Sequence, residues 1–398
     1  MAVLGDFAIS YASAYETLVQ AKPITCATTG TVFEAVIAPT AIILDPFGVP
    51  QLHATRALTG HSVPIISWLT GGASTLIRNF GPESIGGTGS FGAKVEAEAA
   101  RTGKPALQVG EELYRHTDGT LVEVPGLPAI DAQLLITSDA YEKESLDAVR
   151  AWFSDSQKPV YAVGPLLPAA SASTRSDLDE SGTNVATFLD NALQKYGQRS
   201  VLFISFGTNF WPAKNLEEVI GVLIEKEFPF ILAHGSPFAK LSEELTQKVK
   251  SSSLGLLTPW APQQFLLNHP ATGWFLTHGG HGGITESLAN GIPLIAWPFE
   301  ADQPAAAAHL SENLKVAFEL LEVRTGLGLQ RLHRNGKTPK GTPEAVVEEI
   351  RAVVDAARGE EGEKLRKNAE KLKEAFVAAW EDGGAAKVEL HHFLEKYA

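Results

Sequence analysis

The chain has 398 residues, of which 44% are hydrophobic and 20% charged, proportions that predict a packed globular protein of about two or three domains. The formal net charge of −13 argues against a nucleic-acid partner. Cys26 is the only cysteine, so no disulfide can form within the chain, and no apolar run is long enough for a membrane span. We therefore expect a cytoplasmic protein.

The first half of the chain alternates short apolar runs with helical patterns and predicts an α/β domain at residues 1–165. A short strand ends just before Asp45, and Thr70 follows a second strand. The predicted elements in this half are strands at residues 41–44, 63–68, 134–137 and 159–163 and a helix at residues 52–58. The pattern weakens between residues 80 and 126, which favours loops and helices at the rim of a cleft.

Residues 166–182 are rich in Pro, Ala, Ser and Asp and are predicted to form a linker to a second domain at residues 183–381. Its predicted strands are residues 201–205, 230–233, 254–258, 273–277, 294–297 and 315–318, and its predicted helices are residues 216–226, 342–357 and 360–381. Alternation at this spacing indicates a parallel sheet covered on both faces, with ligands at the carboxyl ends of the strands. Residues 382–398 are expected to form a helix that packs back on the N-terminal domain.

Residues 260–303 carry most of the functional signal. Within them a predicted strand meets a polar, Gly-rich turn at residues 278–283, and a predicted helix follows at residues 284–290. A strand that enters a helix through glycines is a natural anion site, because backbone N–H groups and the helix dipole both point at the ligand.

This segment, WAPQQFLLNHPATGWFLTHGGHGGITESLANGIPLIAWPFEADQ, resembles the donor box of family 1 UDP-sugar glycosyltransferases without a gap. Residues 159–168 (PVYAVGPLLP) and 201–208 (VLFISFGT) are similar to two further segments of that family. The resemblance implies the GT-B fold, in which two Rossmann-like domains each contain a parallel sheet.

The resemblance also implies a role for each matching position. It assigns uracil stacking to Trp260, backbone bonding of the uracil edge to Ala261, and ribose contacts to Gln263 and Glu286. The positions that it assigns to the diphosphate are His278, Ser205, Thr208 and, through the backbone, Gly280, Gly282 and Gly283. The positions that it assigns to the sugar are Asp302, Gln303, His281 and Thr70. The plant form of the box has Trp-Asn-Ser where this chain has His281-Gly282-Gly283, so two side-chain phosphate contacts are replaced by backbone N–H groups.

Family members begin with a strand, a Gly-rich turn and a helix, and that turn carries the histidine that acts as general base. No segment of this sequence resembles it, since the first histidine is His53, which follows Asp45. Asp45 matches the aspartate that orients the histidine. The N-terminal domain is therefore expected to be incomplete. Three explanations stay open: a truncated sequence, a second chain that supplies the missing layer, or a binding protein without activity.

The resemblance implies an enzyme that transfers a hexose from a UDP-sugar to a hydroxyl of a small apolar acceptor, with inversion and without a metal. Gln303 ends the box as in glucose users, which favours UDP-glucose as the co-substrate, and no other cofactor is expected. The alternative is a UDP-sugar-binding chain, or the donor-binding part of a two-chain enzyme, that is inactive alone. A nucleotide-sugar epimerase is a third possibility.

Simpler interpretations accompany several of these residues. Asp45 could cap a strand end, the pair Asp302–Gln303 could begin a helix, and Glu286 could be a solvated helix carboxylate. Residues 87–92 match GxGxxG, but no strand precedes them, so a dinucleotide site is not predicted.

Overall fold

The computed structural model describes residues 2–26, 28–87, 89, 91–110, 130–167, 178–212, 214–332 and 334–398. The chain divides into two compact units. Of the described residues, the first unit contains residues 2–110, 130–166 and 379–398, and the second contains residue 167 and residues 178–378.

The first unit is built on a four-stranded parallel sheet of order β3-β4-β5-β6. In chain order its elements are α1 (Ala2–Val19), β1 (Ile24–Thr25), β2 (Val32–Phe33), β3 (Ile42–Leu44), α2 (Val49–Thr59), β4 (Ile65–Leu69), α3 (Ala73–Phe80), α4 (Phe91–Thr102), β5 (Ala132–Leu135), α5 (Asp139–Ser154) and β6 (Val160–Ala162). Leu44 pairs with Ser67, and Leu135 pairs with both Leu69 and Ala162, so the four strands end along one edge. Of the region predicted as loops and helices, residues 111–126 lie outside the described part.

The N-terminal helix α1 and the antiparallel pair β1–β2 have no counterpart among the sequence predictions. Helix α1 is attached to α2 by two hydroxyl pairs one turn apart. Tyr11 Oη lies 2.9 Å from Thr55 Oγ1, and Tyr15 Oη lies 3.0 Å from Thr59 Oγ1. Tyr15 is 1% exposed, so its ring contributes to the core as well as to this ladder.

Helix α3 begins at a glycine that offers no side-chain cap, and a buried carboxylate takes that role. Glu142 accepts hydrogen bonds from the N–H groups of Ala73 at 2.5 Å and Ser74 at 3.0 Å. A side chain at Gly72 would collide with this carboxylate, because its Cβ would lie 2.7 Å from Glu142 Oε1. Negative charge at a helix N-terminus is stabilised by the helix dipole.

The last residues of the chain return to the first unit. Helix α14 (Ala385–Tyr397) packs on β6, where the Tyr161 ring meets the Phe393 ring edge-on at 5.4 Å. Just before this helix, Trp380 Nε1 donates to the carbonyl oxygen of Pro165 at 2.9 Å.

The second unit contains a six-stranded parallel sheet of order β12-β11-β10-β7-β8-β9. Its elements are α6 (Glu180–Tyr196), β7 (Val201–Ser205), α7 (Leu216–Glu225), β8 (Phe230–Ala233), α8 (Glu243–Ser252), β9 (Gly255–Thr258), α9 (Gln263–Asn268), β10 (Thr272–Thr277), α10 (His281–Ala289), β11 (Leu294–Ala296), α11 (Gln303–Ala308), β12 (Ala317–Glu319), α12 (Pro343–Ala357) and α13 (Glu360–Ala378).

The register of this sheet places the carboxyl ends of its strands in one row. Ser205 pairs with Thr277 on one side and with Ala233 on the other, Thr277 pairs with Ala296, and Ala233 pairs with Thr258. Every residue of the central strand β10 is buried, as expected for a parallel strand covered on both faces. The row of strand ends is where ligands bind in sheets of this kind.

Several elements of the second unit begin or end at other residues than predicted, and two of these differences lie beside the predicted site or linker. Helix α10 begins at His281 rather than at residue 284, because His281, Gly282 and Gly283 already have helical geometry immediately after Gly280. Helix α6 begins at Glu180, inside the predicted linker at residues 166–182, because Asp179 caps it by accepting from Gly182 N–H at 2.7 Å. Residues 168–177 of that linker lie outside the described part. Among the helices that the structure describes, none has both the length and the apolar character needed to cross a lipid bilayer.

Candidate functional site

Four loops at the carboxyl edge of the second sheet carry the residues that the sequence assigned to a nucleotide sugar. Grouped by strand, the residues are as follows: Ser205 and Thr208 at the end of β7; Trp260, Ala261 and Gln263 after β9; His278, Gly280, His281, Gly282, Gly283 and Glu286 after β10; and Asp302 and Gln303 after β11. Since the strands end in one row, the fold gathers all four loops at the same edge of one unit.

Trp260 presents an exposed indole on a backbone that is held in place. The side chain is 55% exposed, although large aromatics are usually buried. Its carbonyl oxygen accepts from Thr258 Oγ1 at 2.6 Å and from Ser181 Oγ at 3.0 Å. The next residue, Ala261, is buried. The ring is thus a platform on a fixed support, and a planar base can stack on it with little loss of backbone freedom.

Gln263 and Glu286 form a polar pair between α9 and α10. Gln263 Nε2 donates to Glu286 Oε2 at 2.5 Å, a charge-assisted bond. The resemblance assigns both residues to the ribose, but they lie 23 positions apart and no local sequence pattern predicts a bond between them. A carboxylate accepts from more than one donor, so this pair suits a ligand with neighbouring hydroxyls.

The turn between β10 and α10 has glycine at a position whose backbone conformation favours that residue. Gly279 has φ +85°, a conformation that favours glycine, and Gly280 precedes the first helical residue without any side-chain cap. The first N–H groups of any helix lack an acceptor within the helix. Together with the helix dipole, they make this turn a candidate site for a diphosphate.

Two glycines at this turn provide a matched pair of variants. A Cβ at Gly280 would lie 2.5 Å from His278 Nε2, whereas a Cβ at Gly282 would meet no heavy atom within 4 Å. We expect Gly280→Ala to lower the free energy of unfolding by about 1–2 kcal/mol and Gly282→Ala to be neutral or stabilising by up to about 1 kcal/mol. Denaturant unfolding of both variants measures the difference, and equal effects would contradict this geometry.

His278 is a partly buried imidazole in an aromatic stack. Its ring lies 5.5 Å from that of Phe210 at an interplanar angle of 28°, and Phe210 stacks in turn on Phe299 at 5.7 Å. Burial lowers the pKa of His278 from 6.5 to about 4, so the ring is neutral at pH 7. The sequence analysis missed Phe210, although the aromatic-rich run FGTNFWP after β7 is a signal that could have identified it.

The two residues at the end of the donor segment lie at the start of α11. Gln303 is 2% exposed, and its Oε1 accepts from the N–H groups of Phe299 at 3.0 Å and Glu300 at 3.3 Å. Asp302 precedes the helix without making a side-chain cap. The side-chain carbonyl of Gln303 therefore closes the loop after β11. His281, the first residue of α10, is 8% exposed.

The first unit holds the two remaining candidates. Asp45 follows β3 and Thr70 follows the adjacent strand β4, so both lie at the carboxyl edge of the four-stranded sheet, and both are exposed. Asp45 Oδ1 accepts from Phe47 N–H at 2.9 Å, a contact that caps the turn before α2.

Other candidate sites receive no support from the described residues. Among them, no group of three or more His, Cys, Asp or Glu side chains is arranged to hold a metal ion. In the GxGxxG match, Thr88 and Ser90 lie outside the described part, and Phe91 begins α4.

Two α/β units with parallel sheets, one with an exposed aromatic, an amide–carboxylate pair and a glycine-rich helix start at its sheet edge, are the architecture of the GT-B class. A sequence model of UDP-glucoronosyl and UDP-glucosyl transferases matches residues 143–326. The UDP-glycosyltransferase eriJ of Hericium erinaceus is 33% identical over 347 residues, which is 76% of this chain and 68% of that protein. The chain belongs to the UDP-glycosyltransferase family, as the sequence resemblance predicted.

Other relatives match over a smaller part of their length. Hydroquinone glucosyltransferase of Rauvolfia serpentina is 36% identical over 247 residues, which is 57% of this chain and 47% of that protein. The chain spans about half the length of this and several other curated relatives.

Solved structures confirm the predicted fold. Phytolacca americana UGT2, complexed with UDP-2fluoro-glucose and pterostilbene, matches with a TM-score of 0.65 at 22% identity, over 98% of this chain and 79% of that one. Os79 of O. sativa, in complex with UDP, matches with a TM-score of 0.67 at 22% identity, over 100% of this chain and 86% of that one. The prediction that the N-terminal domain is incomplete stays a prediction.

Proposed function

We propose that this protein transfers glucose from UDP-glucose to a hydroxyl of a small apolar acceptor, with inversion at the anomeric carbon and with neither a metal nor a further cofactor. The observation that carries the proposal is the row formed by the exposed Trp260 ring, the Gln263–Glu286 pair and the glycine-rich start of α10 at one sheet edge. These features are suited to a base, a ribose and a diphosphate in that order. We place the protein in the cytoplasm.

In the proposed reaction the acceptor oxygen forms a bond to the anomeric carbon while the bond from that carbon to the UDP oxygen breaks. UDP leaves with the bonding electron pair, and the proton of the acceptor hydroxyl passes to water. Negative charge grows on the outer phosphate, where the helix start contributes up to about 2 kcal/mol of stabilisation. We assign His278 Nε2 the role of donating to an oxygen of that phosphate. We do not assign Asp45 the role of taking the proton, since the resemblance gives it the role of orienting a histidine for which this sequence has no match.

The sugar and acceptor classes rest on the site and on the relatives. Gln303, Asp302, His281 and Thr70 are our candidates for the sugar contacts, and Ser205 and Thr208 for further diphosphate contacts. A relative named for hydroquinone glucosylation and a structural neighbour that holds pterostilbene support a phenolic acceptor and glucose as the donor sugar.

A second proposal is that the chain binds UDP-sugars without transferring the sugar alone, either as a binding protein or beside a second chain. The observation that favours it is the hydrogen bond that Asp45 Oδ1 accepts from Phe47 N–H, because this bond gives the carboxylate a structural role. Both proposals require UDP binding. Transfer of glucose to a phenolic acceptor by the purified chain would support only the first, and its absence in a protein that binds UDP-glucose would support the second.

The Trp260→Ala variant tests the binding site that both proposals share. Loss of the stacking platform should weaken UDP binding by about 1–3 kcal/mol, measured by titration calorimetry. Trp260→Phe should retain most of the affinity, since a smaller ring still stacks. Phe238→Ala is the matched control, because Phe238 is a 63% exposed aromatic of the same unit. Equal affinities in Trp260→Ala and the wild-type protein would refute the assignment of the base site.

A further inference from the structure

One face of the His278 ring stacks on Phe210, and Phe210 stacks in turn on Phe299. Phe210 lies in the loop after β7 and Phe299 in the loop after β11, and with His278, after β10, they form a continuous stack. The stack fixes the plane of the imidazole and removes one of its faces from water. Loops from three neighbouring strands therefore determine the direction of the two ring nitrogens.

The Nδ1 edge of the imidazole faces a buried hydroxyl. Thr277 Oγ1 lies 3.4 Å from His278 Nδ1, and it accepts from Gly279 N–H at 3.5 Å. Thr277 is 1% exposed. A hydroxyl has one hydrogen and two lone pairs, so Oγ1 can accept from Gly279 N–H and donate its hydrogen to Nδ1, the arrangement that we infer here. Nδ1 then accepts, and the proton of a neutral ring is on Nε2.

The opposite edge of the imidazole is left open by two glycines. A Cβ at Gly280 would lie 2.5 Å from His278 Nε2, and a Cβ at Gly207 would lie 3.0 Å from Cε1. Gly280 precedes the first turn of α10, so the edge that carries Nε2 is next to the helix start. An anion bound at that start can accept from Nε2–H and from backbone N–H groups together.

We propose that Phe210 and Thr277 are positioning residues that hold His278 as a neutral ring, with its Nε2–H directed at the outer phosphate of the UDP-sugar. The inference rests on the proposed function and deepens it. The low pKa of His278, about 4, has burial as its cause. The carboxylates on the elements next to His278 are Glu286, which pairs with Gln263 on α9, and Glu300 and Asp302, which lie in the loop after β11.

A neutral donor has a specific advantage at this site. It stabilises charge as it develops on the leaving phosphate without the desolvation cost of a buried cation. It also keeps its protonation state throughout the neutral pH range, so donor binding should not vary with pH between about 6 and 8.

The test is ¹⁵N NMR of histidine side chains in the unliganded protein, with the His278 signals assigned by their absence from His278→Gln. The wild-type spectrum should show a neutral ring with the proton on Nε2 at pH 7. In Phe210→Leu the pKa of His278 should rise by about one unit or more, and in Phe210→Tyr it should stay within about half a unit of the wild-type value. Thr277→Val should populate both tautomers, whereas Thr277→Ser should keep Nε2–H.

Affinity for UDP-glucose gives the second readout and separates this inference from the proposed function. Phe210→Leu and Thr277→Val should bind about 3- to 10-fold more weakly, with Phe210→Tyr and Thr277→Ser near the wild-type value. Wild-type protein that binds UDP-glucose but carries the His278 proton on Nδ1, or titrates near pH 6.5, would overturn the positioning role alone. Unchanged His278 spectra in folded Phe210→Leu and Thr277→Val would do the same. A folded wild-type protein that binds no UDP-glucose would overturn the proposed function.

Discussion

A Glu286→Ala variant is expected to bind UDP-glucose about 10- to 100-fold more weakly than the wild-type protein. The carboxylate is held by Gln263 Nε2 at 2.5 Å, on the same edge as Trp260. Its loss removes the acceptor that we propose for the ribose hydroxyls and leaves Gln263 without this partner. Titration calorimetry at fixed pH and salt measures the change.

An analogue that lacks the 2′-hydroxyl makes this prediction specific to the ribose. The wild-type protein should bind UDP-glucose more tightly than 2′-deoxy-UDP-glucose, and in Glu286→Ala that preference should shrink or vanish, as a double-mutant cycle measures. Glu361→Ala removes an exposed carboxylate from the first turn of α13 and serves as the control. A preference that is the same in Glu286→Ala and the wild-type protein would place the ribose elsewhere.

The burial of His278 should make the folded protein sensitive to acid. Its pKa falls from 6.5 in the unfolded chain to about 4 in the folded protein, so between these values the unfolded chain binds more protons. The contribution of a neutral His278 is fully present above pH 6.5 and is lost as the pH falls towards 4. The size of this loss is about 3 kcal/mol.

Comparison with His278→Gln isolates that contribution, because glutamine keeps a neutral amide donor and does not titrate. Denaturant unfolding at pH 7 and pH 4 should show a smaller loss of stability in His278→Gln than in the wild-type protein, by about 3 kcal/mol. The comparison cancels other groups, such as Glu349, whose pKa burial raises to about 7. Parallel losses in the two proteins would show that His278 is not buried as the structure indicates.

The sequence predicted the second unit well because four of its six strands, β7, β8, β10 and β11, are buried along most of their length. A mostly apolar run such as residues 201–205 is typical of a strand buried in the middle of a parallel sheet. The polar residues that follow such a run then lie at the end of the strand. The start of α10 was harder to predict, since His281, Gly282 and Gly283 have weak helix propensity. Their helical geometry is set by the strand and helix that they connect.

The sequence could not reveal the contacts that arise only on folding. The bond between Gln263 and Glu286 joins residues whose approach depends on the register of β9 and β10 with their neighbours. The stack of Phe210 on His278 likewise depends on the adjacent positions of β7 and β10. Helix α1 was missed because residues 1–40 carry no strong periodic pattern, and its place on α2 depends on tyrosine and threonine hydroxyls.

The single row of strand ends in the second sheet has a consequence for how donor preference can change. In our proposal the base is bound after β9, the ribose between the segments after β9 and β10, the phosphates after β7 and β10, and the hexose mainly after β11. Exchange of residues 297–303 should therefore change which hexose the protein accepts without weakening its binding of uridine. Preference for the sugar can then change independently of affinity for the nucleotide.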